Sequence, residues 1–162
     1  MTSDFDRLVA TLDYPLFVVT AAAGGDRSGC LIGFATQCSI HPPRFLACLS
    51  VKNHTFEVAR HAEHLVVHVL REDDKDTADL FGGETGDEVD KFAVASWRPG
   101  PGGVPLLDDV EAWFVGRVLD VVDLGDHHGF VLEPVEAEAE GAEPGGELSF
   151  QQAKDIDAGH PA

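Results

Sequence analysis

The chain has 162 residues, 44% hydrophobic and 25% charged, which suits one compact domain that buries its own core without covalent staples. Eleven Lys and Arg against 29 Asp and Glu leave a formal charge of -18, a field that repels phosphate backbones and anionic lipid surfaces and so argues against nucleic acid or membrane partners. Cys30, Cys38 and Cys48 cannot all pair with one another and form no C-x-x-C, so a reduced, cytoplasmic compartment is expected.

In chain order, the N-terminus has acids where a signal peptide needs a basic leader, and no apolar run reaches membrane-spanning length. Phe5, Leu8, Val9 and Leu12 fall at helical spacing behind Ser3 and Asp4, predicting a short capped helix. "PLFVVTA" reads as a strand, "AGGDR" as a turn and "SGCLIGFATQCSI" as a second strand, a hairpin pattern. "HPP" ends it, because proline lacks the N–H a ladder needs, and "RFLACLSV" follows as a third strand. "HTFEVARHAE" predicts a short helix and "HLVVHVL" a fourth strand. Two short helices, "DKDTADLF" and "GDEVDKF", are split by Gly82 and Gly83, and "WRPGPGGVP" predicts an irregular loop. "VEAWFVGRVLDVVDL" and "GFVLEPVEAEAE" predict a long hairpin around "GDHH", with Gly116 where a long strand must bend. The acidic runs 71–92 and 135–147 read as solvated faces and tail. About six strands with few helices predict a mainly β fold, a six-stranded antiparallel barrel with short peripheral helices. There is no Gly-rich dinucleotide fingerprint.

Three stretches can carry chemistry. In "SVKNHT" (50–55), Lys52 stands between a strand end and a helix start, where Asn53 and Thr55 can cap and free N–H groups can face an anion. A plain capped helix with an ion-paired lysine is the competing reading. In "GFATQCS" (33–39), small and hydroxyl side chains let a flat ligand approach the backbone, with a strand end packed against a neighbour as the competing reading. In "GDHH" (125–128), Gly125 and Asp126 satisfy the turn, leaving His127 and His128 surplus to it. His61, His64 and His68 have metal-like helical spacing, but the segment crosses from helix into strand, which breaks the geometry. No nucleophile elbow or Cys–His pairing is legible.

The order "YPLFVVTA", "GFATQCSIHPPRFLACLS", "KNHT", "HLVVHVL", "DLF", "DKF", "GVPLL", "AWFVGRV", "GDHH" resembles the flavin reductase-like proteins of the FMN-binding split-barrel fold, over about residues 8 to 135. The resemblance implies a split-barrel domain over residues 1–140 with a partly ordered tail over 141–162, and a homodimer. It implies binding of FMN, or FAD, reduced by NADH or NADPH. Carried over by position, Phe34, Ala35, Thr36, Gln37, Cys38 and Ser39 would line the flavin ring. Ser50, Lys52, Asn53 and Thr55 would hold its ribityl and phosphate groups. Lys91 and Phe92 match a motif near the cofactor, and His127 matches a histidine facing flavin and nicotinamide. The implied function is an NAD(P)H:flavin oxidoreductase, with a separate monooxygenase component as a candidate acceptor of reduced flavin. The alternatives are a flavin carrier or sensor without reductase activity, and a barrel for another planar cofactor such as haem or a deazaflavin.

Overall fold

The computed structural model describes residues 3–83 and 90–154. Helix α1 (Asp4–Val9) is closed by a capping box: the Asp6 N–H donates to Ser3 Oγ at 3.0 Å and the Ser3 N–H donates to the Asp6 carboxylate at 3.3 Å. Strands β1 (Phe17–Ala23) and β2 (Asp26–Ile32) form the expected hairpin around Gly24 and Gly25, both at positive φ.

The expected second strand is in fact two. A Cβ on Gly33 would lie 2.3 Å from Cε2 of Tyr14, so the backbone passes close to that ring and the ladder with β1 ends at Ile32. Strand β3 (Ala35–Ser39) then pairs with β4 (Arg44–Ser50) instead. Gly33→Ala should therefore lower stability by about 1–3 kcal/mol, read as a urea-midpoint shift, because the ring must move out of its packed position.

Helix α2 (His54–Ala59) and strand β5 (His64–Val69) come next, then α3 (Lys75–Gly83) and α4 (Lys91–Val94). Most of the expected helix "GDEVDKF" lies outside the described residues; its last two residues begin α4. The Pro/Gly loop is more regular than expected. It is a small hairpin of β6 (Trp97–Pro99) and β7 (Pro105–Leu107), turned by Gly102 and Gly103 at positive φ. Strands β8 (Ala112–Asp123) and β9 (His127–Glu138) make the predicted long hairpin, with a register shift at Gly116. Helix α5 (Phe150–Ala153) ends the described chain.

Seven strands, not six, form one antiparallel sheet in the order β2-β1-β5-β8-β9-β4-β3. Among the described residues no ladder joins its two outer strands, so the sheet is open. Those outer strands, β2 and β3, are nevertheless consecutive in the chain, which curls the sheet around one core. Phe17, Val19, Cys30, Leu49, Leu65, Val67, Phe130 and Leu132 meet inside it. The opposite face of β1 is buried too, Val18 packing with Ala78, Phe81, Phe92, Leu107 and Leu148. Burial on both faces explains why β1 is apolar apart from Thr20, whose buried hydroxyl donates to the Pro105 carbonyl at 2.6 Å. Among the described residues, no helix is long and apolar enough to cross a membrane.

Residues 146–150 run antiparallel beside the chain ends of β1 and β5. The Leu16 N–H donates to the Leu148 carbonyl at 2.9 Å, and the Leu148 N–H to the Leu70 carbonyl at 2.9 Å. The "LSFQQ" stretch is thus part of the packed body, with Leu148 buried.

Candidate active site

Strand β4 lies between β3 and β9, so its end gathers residues from three distant stretches. Ser50 is the ladder partner of His127, and the Val51 N–H donates to the Asp126 carbonyl at 2.9 Å. On the other side the Cys48 N–H donates to the Phe34 carbonyl at 2.9 Å. The Phe34 and His127 rings meet across β4, with centroids 5.0 Å apart.

His127 Nδ1 lies 2.8 Å from Asp126 Oδ1. A carboxylate only accepts, so the Nδ1–H donates and Nε2 is left to face other groups. The same bond, with the charges of His127 and Lys52, holds the Asp126 carboxyl below its usual range.

Lys52 is exposed, its backbone N–H donates to Ser50 Oγ at 3.3 Å, and its ammonium has no ion-pair partner among the described residues. The ion-paired reading of this lysine therefore fails. The helix behind it is shorter than expected, six residues rather than ten. The Asn53 carboxamide oxygen takes the Thr55 N–H at 2.9 Å, so the positive corner depends on the Lys52 ammonium more than on a helix dipole.

Thr55 does not reach the surface. It is fully buried, and its hydroxyl pairs with Ser28 Oγ at 2.8 Å, tying α2 to β2. Ala35, Thr36, Gln37, Cys38 and Ser39 run along β3, the outermost strand on its side of the sheet; Thr36, Gln37 and Cys38 are exposed. An edge strand keeps one row of backbone polar groups unpaired, which a flat polar ligand can read.

Lys91 and Phe92 sit elsewhere, on a cleft of about 270 Å³ lined also by Arg27, Ser28, Gly29, His54 and Asp90. The buried Lys91 ammonium donates to the Phe81 carbonyl at 3.1 Å and the Gly29 carbonyl at 3.4 Å. Phe92 packs against Phe81 and Trp97. His54 links this cleft to the Lys52 corner, since it lies two residues from Lys52 in the chain. The structure therefore brings Phe34, Ser50, Lys52, Asn53 and His127 together, strings residues 35–39 along the edge, and sets Lys91 and Phe92 beyond the start of α2.

The sequence matches the flavin reductase like domain over residues 9–155. The chain belongs to that family. This flavin reductase-like chain is 32% identical over 152 residues to the reductase component of a 4-nitrophenol 4-monooxygenase/4-nitrocatechol 2-monooxygenase from Rhodococcus opacus, covering 94% of this chain and 78% of that protein. It is also 32% identical over 113 residues to a stachydrine N-demethylase reductase subunit of Rhizobium meliloti (strain 1021), covering 67% of this chain. It spans only 48% of that protein's length, and 35% of another relative from the same strain. Among solved structures, the FMN-binding protein of Thermus thermophilus with bound 1-cyclohex-2-enone superposes with a TM-score of 0.78 at 28% identity, covering 86% of this chain and 83% of that one.

The flavin reductase-like fold also brings Tyr14 to the Phe34 ring, and Ser28 and His54 to the cleft beside Lys91. His54 was within reach of sequence reasoning, standing inside "SVKNHT"; Ser28 and Tyr14 become neighbours only through tertiary packing.

Proposed function

We propose that this protein is an NAD(P)H-dependent flavin reductase that binds FMN, or FAD, with the ring along β3 and the phosphate at Lys52. The observation that carries this reading is the exposed Lys52 ammonium, without an ion-pair partner among the described residues, set beside Ser50 and one strand away from the Phe34–His127 pair. In a chain of charge -18, an ammonium without a close ion-pair partner among the described residues, at a corner of hydroxyl and amide groups, fits a phosphate by its donor set. The names of the Rhodococcus and Thermus relatives support the same chemistry.

When bound, the flavin supplies the hydride-accepting ring and the reduced nicotinamide supplies the hydride. What the protein contributes is position. Phe34 and the β3 backbone would hold the flavin ring, and Lys52 with Ser50 and Asn53 would hold the phosphate end. His127, its Nδ1–H donated to Asp126, would have Nε2 left to orient the second ring. Such a group orients rather than reacts, so His127→Ala should lower kcat roughly three- to tenfold without abolishing turnover. A loss beyond a thousandfold would assign it an essential proton transfer instead.

We further propose a homodimer in a reducing, cytoplasmic compartment. The β8–β9 hairpin exposes Leu119, Val121, Val122 and Val135, its turn exposes Leu124, and Phe34 and Ile40 are exposed at either end of β3, apolar side chains that a second copy of the chain would cover. All three cysteines are free thiols. Delivery of reduced flavin to a separate monooxygenase component is the corresponding physiological role, supported by the name of the Rhodococcus relative.

The deciding experiment is NADH and NADPH oxidation followed at 340 nm with FMN or FAD added. Flavin-dependent loss of absorbance is expected. Tight flavin binding with inertness toward both nicotinamides would replace the reductase with a carrier.

A further inference from the structure

We infer that the C-terminal segment is a working part of the site: Phe150, stacked on Tyr14, fixes the Phe34 ring and through it the setting of His127. Tyr14 and Phe150 are then positioning residues for hydride transfer.

Four rings form a continuous line. Phe150 and Tyr14 stack with centroids 4.8 Å apart and planes 18° from parallel. Tyr14 and Phe34 lie 6.2 Å apart at 54°, and Phe34 and His127 5.0 Å apart at 51°. All three spacings fall within the range where aromatic pairs attract, about 4.5–7 Å. The line joins α5, the segment before β1, the β2–β3 link and the start of β9, which are remote in sequence.

Each end is anchored differently. At the C-terminal end the Phe150 N–H donates to the Tyr14 carbonyl at 2.9 Å. The Gln151 N–H donates to the Asp13 carboxylate at 3.0 Å, and the Gln151 amide donates to the carbonyls of Ala10 and Leu12, each at 3.0 Å. Tyr14 itself lies over Gly33, where no Cβ would fit. This end is rigid.

The histidine end is not. The His127 ring bonds to Asp126, its own neighbour in the chain, so that bond ties the ring to no other element. Pairing with Ser50 and the Val51 N–H bond to the Asp126 carbonyl hold the His127 backbone on β4; the contact its ring makes with another ring is Phe34, which is itself 54% exposed. An exposed ring holds one orientation only if something beside it does so, and Tyr14 backed by Phe150 is placed to do it. Without that backing Phe34 gains rotamer freedom, and misplacement of this size at a site that works by position costs rate rather than binding of the flavin phosphate.

The inference rests on the reductase reading for its kinetic arm alone. In the full-length protein, Phe150→Ala and Tyr14→Ala are compared with Tyr14→Phe and with Val110→Ala, a core truncation in the same buried cluster but outside the line of rings. The first readout is the proton NMR resonance of the His127 ring, assigned by loss in His127→Gln; the second is kcat and KM for NADH-driven FMN reduction. Both ring deletions should shift the His127 resonance and lower kcat about two- to threefold, no more than His127→Ala does, with the KM for FMN changed less than twofold. Tyr14→Phe should restore both, since stacking needs no hydroxyl, and Val110→Ala should leave the resonance in place. An unmoved His127 resonance in both ring deletions overturns the inference, as does an equal shift in Val110→Ala. If the parent protein proves to have no reductase activity, the resonance still decides the coupling, so the two failures are separable.

Discussion

Lys52→Glu should weaken FMN binding roughly 100-fold while leaving riboflavin binding and thermal stability nearly unchanged. The charge reversal removes a charge-assisted contact to a phosphate that carries close to two negative charges and replaces it with repulsion. Riboflavin has the same ring and ribityl chain but no phosphate, so it isolates the anion term. Because Lys52 has no ion-pair partner among the described residues, the substitution should not break a stabilising pair. Titration of flavin fluorescence with each ligand measures both constants. Equal loss for FMN and riboflavin would place the phosphate elsewhere, with the Arg27, His54 and Lys91 cleft as the next position to test. The FMN term should also shrink as salt is raised, since an exposed ammonium is screened over about 8–10 Å at physiological ionic strength.

The parts of this fold that were legible in sequence are those set by neighbours in the chain. Gly24 and Gly25 at positive φ turn the first hairpin, and the "GDHH" turn between two β-rich runs gives the second. The Lys52 corner was legible because its strand, cap residue and lysine are contiguous. What escaped notice depends on contacts across the fold. Gly33 looks like an ordinary strand glycine until Tyr14 lies on it, which is why the second strand read as one and the strand count fell short. Thr55 read as a surface cap, yet Ser28, 27 positions away, takes its hydroxyl inside. The Phe81 and Gly29 carbonyls that take the Lys91 ammonium lie 10 and 62 positions away, so its burial is not legible either. The short β6–β7 hairpin was hidden by its prolines, which begin or end the strands without breaking a central ladder. The C-terminal stretch gave no periodicity because single hydrogen-bonded crossings, not a strand or long helix, hold it to Tyr14, Leu16 and Leu70.

A second large effect is expected from His68, which the sequence offered only as a poor metal ligand. It is fully buried on β5, between two backbone groups that fix its tautomer. The Leu107 N–H donates to Nε2 at 3.0 Å, so Nε2 is unprotonated and Nδ1–H donates to the Val18 carbonyl at 2.9 Å. Burial, only partly offset by that Val18 bond, depresses the ring from its ordinary 6.5 to about 4. Between those values the unfolded chain binds a proton that the folded chain does not, so stability falls as pH drops through this window and is fully present above it. One proton corresponds to about 1.4 kcal/mol per pH unit, which makes the loss from pH 7 to pH 5 about 2 kcal/mol. His68→Gln should cost about 1–3 kcal/mol at pH 7, because at least one buried backbone partner loses its bond, but should flatten the pH dependence by that same 2 kcal/mol. Urea unfolding at pH 7, 6 and 5 in both proteins reads the difference directly. Parallel stability curves would mean that the imidazole is protonated in the folded state, with Leu107 and the β6–β7 hairpin displaced to admit the second N–H.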